Sequence, residues 1–160
     1  MDSKTILRAT SFLGLSSSIW VSGISFSQSF LTIPLLLGLP SETSTPIFKD
    51  LYYSGATLIV PLAVTSALST ATAAYLDAEK RTGYAVAAVA TISILPFTAA
   101  FMFKCIHRLI AIADDAKIRE KTQPGEVDGL LTRWKWMNFV RAGMSGIGGV
   151  VGLLVYSGTL

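Results

Sequence analysis

Trp134, Asn138, Arg141 and Ser145 follow one another at intervals of 4, 3 and 4 residues, which puts all four on one face if the segment is helical. The segment turns wholly apolar from Gly146 onward, so this polar stripe enters a bilayer. A guanidinium at mid-membrane costs about 3 kcal/mol on insertion scales, which calls for a cavity or a partner around Arg141. The alternative is that Arg141 snorkels its charge to the headgroups from about one turn inside. Asn138 and Trp134 on the same face favour a coherent site over snorkelling.

A second set of candidates lies in "PFTAAFMFKCIHRL". Thr98 and Met102 stand one turn apart on a common face, and His107 follows where the chain leaves the hydrocarbon, flanked by Lys104 and Arg108. Imidazole suits proton abstraction near neutral pH, so His107 is the candidate general base; an interfacial histidine with no role is the plainer reading. Met102, Cys105 and His107 are soft or borderline donors on neighbouring turns that copper would accept, although nothing in their spacing is diagnostic. We assign no metal ligand, and copper or iron stays open. Tyr52 and Tyr53 offer a further aromatic surface.

Ser18, Ser22, Ser25 and Ser29 form a small hydroxyl stripe at intervals of 4, 3 and 4, and Gly148 and Gly152 form a GxxxG. Both patterns read first as close helix packing. Pro96 loosens the third apolar segment near mid-membrane.

The elements that must position these residues follow from composition. Half of the chain is hydrophobic (51%), 14% is charged, and mean hydropathy is +0.56, which selects the membrane class. A net charge of +3 spread over loops gives no nucleic-acid footprint. One cysteine and one histidine exclude internal disulfides, CxxC metal sites and multi-histidine centres.

Four stretches, near 11–39, 55–76, 84–106 and 137–157, are long enough to cross about 30 Å of hydrocarbon. The first is too long for a signal-peptide core and is read as retained. The segment 40–54 reads as a loop with an interfacial aromatic cluster, and "DAEKRTG" as a tight turn of an antiparallel hairpin. The third helix is expected to continue past the membrane to about residue 120, and the last to run from 129 to 157. The expectation is an all-α, four-transmembrane-helix bundle in a single domain over 1–160. Seven of the eight lysines and arginines in segments 40–54 and 104–136 sit in the long connection, so the positive-inside rule orients the chain only weakly.

The blocks "GISFSQSFLTIPLLL", "LPFTAAFMFKCIHRL" and "LLTRWKWMNFVRAGMSGIGGVVGLL" resemble the anthrone oxygenase-like family of small four-helix membrane proteins, in order and along nearly the whole chain. The most specific part is tryptophan, asparagine and arginine at the spacing of Trp134 or Trp136, Asn138 and Arg141. One departure stands out. The family's third-helix motif continues from methionine to proline, threonine and asparagine, whereas here Met102 is followed by "FKCIHRL", with Ile106 at the asparagine position and His107 beside it.

The resemblance implies oxidation of an electron-rich polycyclic phenol, anthrone to anthraquinone, with O2 as co-substrate and no organic cofactor, in fungal polyketide metabolism. In that reading His107 is the base, Arg141 and Asn138 steady the oxyanion, and Trp134, Thr98, Met102, Tyr52 and Tyr53 hold the substrate. The expected partners are an apolar aromatic small molecule, membrane lipid and a second copy in a homo-oligomer; the expected location is the endoplasmic reticulum or another internal membrane. The competing readings are a non-catalytic assembly or binding protein, a family member with different chemistry, and a minimal transporter, the last disfavoured by the lack of repeated halves and of an intramembrane acid.

Overall fold

The computed structural model describes residues 2–159, and among these it is helical throughout apart from short turns. Four long helices carry the fold: α1 (Ser3–Leu36), α2 (Ser41–Leu76), α3 (Arg81–Asp114) and α5 (Glu126–Ser157), with a short α4 (Ala116–Glu120) between the last two. Each of the four is long and apolar enough to cross a bilayer. Phe12, Trp20, Leu35, Leu68, Val89, Phe101 and Ile147 point outward around the bundle, a placement that suits lipid and not water. The protein is a multi-pass membrane protein.

The helices form a ring in which α1 packs on α2 and α5, and α3 closes it by packing on the same two neighbours. The close approach comes from the small residues. Ser18 donates to the Ser145 carbonyl (2.7 Å) and bonds Thr91 Oγ1 (2.7 Å); Ser22 donates to the Ala142 carbonyl (2.8 Å). A Cβ on Gly148 would lie 2.9 Å from the Ala87 carbonyl oxygen and 2.5 Å from Thr91 Oγ1, so α3 and α5 touch only because residue 148 lacks one. Alanine gains about 1 kcal/mol of helix propensity over glycine, but overpacking a backbone contact costs about 1–3 kcal/mol. Gly148→Ala is therefore expected to lower the thermal midpoint in detergent. Gly143→Ala, whose Cβ meets nothing within 4 Å, is expected to raise it slightly.

Several boundaries differ from the sequence reading: α1 starts at Ser3 instead of near 11, and α3 at Arg81, inside the expected turn. Residues 41–54 are helical, as the first turns of α2. The serines, threonines and prolines that read as a loop also suit a helix start, and Glu42 favours the positive end of the helix dipole. Phe48 then secures the extension by burying completely against Trp134 (ring centroids 5.3 Å, edge to face). α3 extends beyond residue 106 as expected but ends at Asp114 instead of continuing to 120. Asp115 is extended and accepts a hydrogen bond from the Lys117 amide (2.8 Å), starting α4, while Arg119 donates to the carbonyls of Ile112 and Ala113 and closes the end of α3. The last helix begins at Glu126, a turn before the expected 129.

Two π turns interrupt the long helices. In α1 the turn Gln28–Thr32 runs into Pro34, which has no N–H to give to a preceding carbonyl. In α3 the turn Thr98–Met102 follows Pro96. Each adds one residue to a turn, which rotates everything after it by about 100° relative to an uninterrupted helix.

Candidate active site

A cavity of about 670 Å³, counting its open mouth, lies inside the ring and takes wall residues from all four long helices. Its polar groups are Gln28 from α1, Tyr52 from α2, Thr98 from α3, and Trp134 and Arg141 from α5. The rest of the wall is apolar, mainly Ile59, Val60, Leu95 and Phe103.

Arg141 is only 6% exposed, and its Nε has no hydrogen-bond partner among the described residues. The ion pairs among those residues lie elsewhere, Lys49 with Asp114 (2.6 Å) and Arg108 with Glu126 (2.7 Å), both toward the end of the long connection. An enclosed guanidinium facing a cavity is not a snorkelling side chain. Nor does it face outward for another protein to reach. Trp134 is 1% exposed and its Nε1–H is likewise unpartnered. Trp134 and Arg141 thus line the cavity wall together with Gln28 and Tyr52.

Four sequence candidates fall elsewhere. His107 is exposed and stacks on Phe103 (centroids 5.4 Å, interplanar 23°) instead of lining the cavity. Met102 misses the cavity because of the π turn. With one residue inserted, Thr98 shares its face with Phe103 and not with Met102, so Phe103 takes the wall position and Met102 rotates into the core at 0% exposure. Cys105 donates its thiol to the Leu130 carbonyl (3.2 Å), away from His107, and no group of three or more His, Cys, Asp or Glu converges among the described residues. His107→Ala is accordingly expected to leave turnover within about twofold of the parent, against the roughly 10²-fold or greater loss expected of a general base.

Asn138 is fully buried but lies off the cavity wall. Its Nδ2 donates to the Ser25 carbonyl (2.8 Å) and to Ser29 Oγ (2.9 Å), tying α5 to α1. Three residues separate it from Arg141, a rotation of about 60° around the helix, enough to aim one at α1 and the other at the cavity. Tyr53 is half exposed and touches the site only through Tyr52, whose ring it meets at 5.4 Å. Tyr52, Thr98, Trp134 and Arg141 are the sequence candidates that line it together.

The sequence reading passed over Gln28 and Phe103. A lone glutamine in the apolar run "SFSQSFL" was the available signal, since an intramembrane amide is costly without a use. Gln28 lies over Gly55, where a Cβ would come within 2.5 Å of its Nε2.

The family profile described as anthrone oxygenase matches residues 48–151, which spans the cavity walls contributed by α2, α3 and α5. The chain belongs to the anthrone oxygenase family. It is 29% identical to an anthrone oxygenase of Paecilomyces divaricatus over 143 residues, covering 84% of this chain and 87% of that protein. It is 31% identical to an anthrone oxygenase of Aspergillus fumigatus over 144 residues, covering 84% of each, and 28% identical to one of Aspergillus novofumigatus, covering 89% and 88%. No solved structure matches the chain. At the family's departure point, Ile106 is 0% exposed and sits in the apolar cluster with Met102, Leu109 and Trp134.

Proposed function

We propose that this chain is a membrane-embedded oxygenase that converts an anthrone, or a closely similar electron-rich polycyclic phenol, to the quinone with O2. The observation that carries the reading is Arg141, an enclosed guanidinium with no ion-pair partner among the described residues, on the wall of a mainly apolar cavity between the spans. Such a charge is costly unless a ligand anion uses it.

The chemistry needs little from the protein. An anthrone methylene loses a proton to give an extended aryloxide; this anion donates an electron to O2, the radical pair forms a C–O bond, and the resulting hydroperoxide loses water to leave the ketone. One anthrone and one O2 give one quinone and one H2O, so the reaction balances without an organic cofactor. Arg141 holds the aryloxide oxygen, the Trp134 N–H and Gln28 amide bond the second oxygen function, and the apolar walls bind the flat rings and keep water from the peroxide. With His107 off the wall, Tyr52 supplies the lining phenol hydroxyl, and we assign it a hydrogen bond to the substrate oxygen as the substrate enolises and ionises there. A substrate that partitions into lipid also fits an enzyme embedded in an internal membrane.

The test is incubation of purified protein in lipid vesicles with a dihydroxyanthrone, aerobically and anaerobically, following quinone absorbance, O2 uptake and the metal content of the sample. Enzyme-dependent quinone formation with one O2 consumed per quinone is expected. No acceleration over spontaneous air oxidation would overturn the assignment.

A further inference from the structure

The cavity is sealed at both ends along the membrane normal. Toward the long connection it is capped by Ile33, Leu36, Phe48, Ile106, Leu109 and Leu131, none more than 3% exposed. Toward the chain termini Val21, Ile59, Ala63 and Ile94 do the same, again at 3% or less. A rigid tricyclic solute would have to disrupt one of these close-packed layers to enter from water, and such interiors leave no room for it.

Three of the four side seams are closed as well. α1 and α5 are stitched by Ser18, Ser22 and Asn138, and α1 and α2 close where Gln28 lies over Gly55. α3 packs on α5 along its length. The α2–α3 seam is different. α3 packs on α2 through Arg81–Ile92 and again through Phe103–Asp114, yet the stretch between, kinked at Pro96 and widened by the π turn, hardly touches α2. That gap lies at the level of the cavity. The lining residues that flank it, Val60 on α2 and Phe103 on α3, are 43% and 40% exposed on the lipid-facing surface, while the other lining residues are buried or half-buried.

We infer that the cavity is entered sideways from the bilayer, through a slot between α2 and α3 framed by Val60 and Phe103, which set the width of the apolar solute admitted. The slot is apolar and faces lipid, so its user is a flat aromatic already dissolved in the membrane. That user rests on the function proposed above; the slot itself does not.

Trp134 on the far wall reports arrival without turnover. With Trp20 and Trp136 replaced by phenylalanine, Trp134 is the one remaining indole, and iodobenzene partitioned into the vesicles quenches it only on contact. We expect Phe103→Ala to raise the quenching constant several-fold and Val60→Phe to lower it several-fold. Val89→Phe, on the outer face of α3 away from the slot, should not change it. A constant that moves with neither slot residue overturns the inference, even if anthrone turnover is intact. Opposite shifts in the two variants uphold the slot even if no anthrone is turned over, in which case the proposed reaction alone fails.

Discussion

Arg141→Met is expected to lower turnover by about 10²–10³-fold while making the bundle more stable. The two effects have one origin. The parent keeps a guanidinium 94% buried, with no carboxylate paired to it among the described residues, and methionine of similar length removes that charge without leaving a hole. Relief of an intramembrane arginine is worth up to ~3 kcal/mol, which a thermal scan in detergent would register as a higher midpoint. Loss of activity with gain of stability is what a side chain kept for its chemistry produces. Arg141→Lys sharpens the test. It keeps the charge but not the planar fork, so an intermediate loss of about 10-fold is expected if two donors engage the aryloxide together. A structural role for Arg141 would instead give a lower midpoint in the methionine variant, with activity falling in proportion to unfolded protein.

The four spans were legible because a helix in lipid must be apolar for its whole crossing, and no tertiary context alters that requirement. The serine stripe on α1 was legible for a similar reason: Ser18, Ser22 and Ser29 reach α5 through hydroxyls whose 4- and 3-residue spacing is that of an unbroken helix. The same assumption of an unbroken helix failed at Thr98–Met102. Nothing in "PFTAAFM" reveals that one extra residue is wound into the turn, and so Met102 was aimed at the site when the fold points it into the core; His107, proposed from its imidazole and its place at the helix end, points outward. Asn138 was placed on the right face of α5 but toward the wrong neighbour, since a stripe wide enough to hold four residues borders both α1 and the cavity. Residues 41–54 show local signals overruled from a distance, because the burial of Phe48 against Trp134 depends on a helix more than eighty residues further along the chain. Composition and periodicity thus locate a site on a helix; they do not say which way an irregular turn rotates it.

Ala56→Trp is expected to abolish turnover, with kcat/KM down on the order of 10²-fold or more, and to leave the fold intact. Ala56 lines the cavity from α2 one turn from Tyr52, so an indole there has the cavity in front of it. A tryptophan side chain buries about 150–250 Å² of surface, so filling the space with protein atoms holds or raises the thermal midpoint, as cavity-filling substitutions commonly do. The substrate loses its place because the added rings occupy the same apolar volume between Trp134 and Leu95. Extinction of activity with an unchanged or raised midpoint therefore ties the reaction to this cavity. A lowered midpoint would mean that the indole failed to enter, and Ala56→Leu, which needs less of the space, would then be expected to show a smaller loss of kcat/KM at parental stability. Full activity in the tryptophan variant with its fold retained would place the chemistry outside the bundle and remove the basis for assigning Arg141, Tyr52 and Trp134 any part in it.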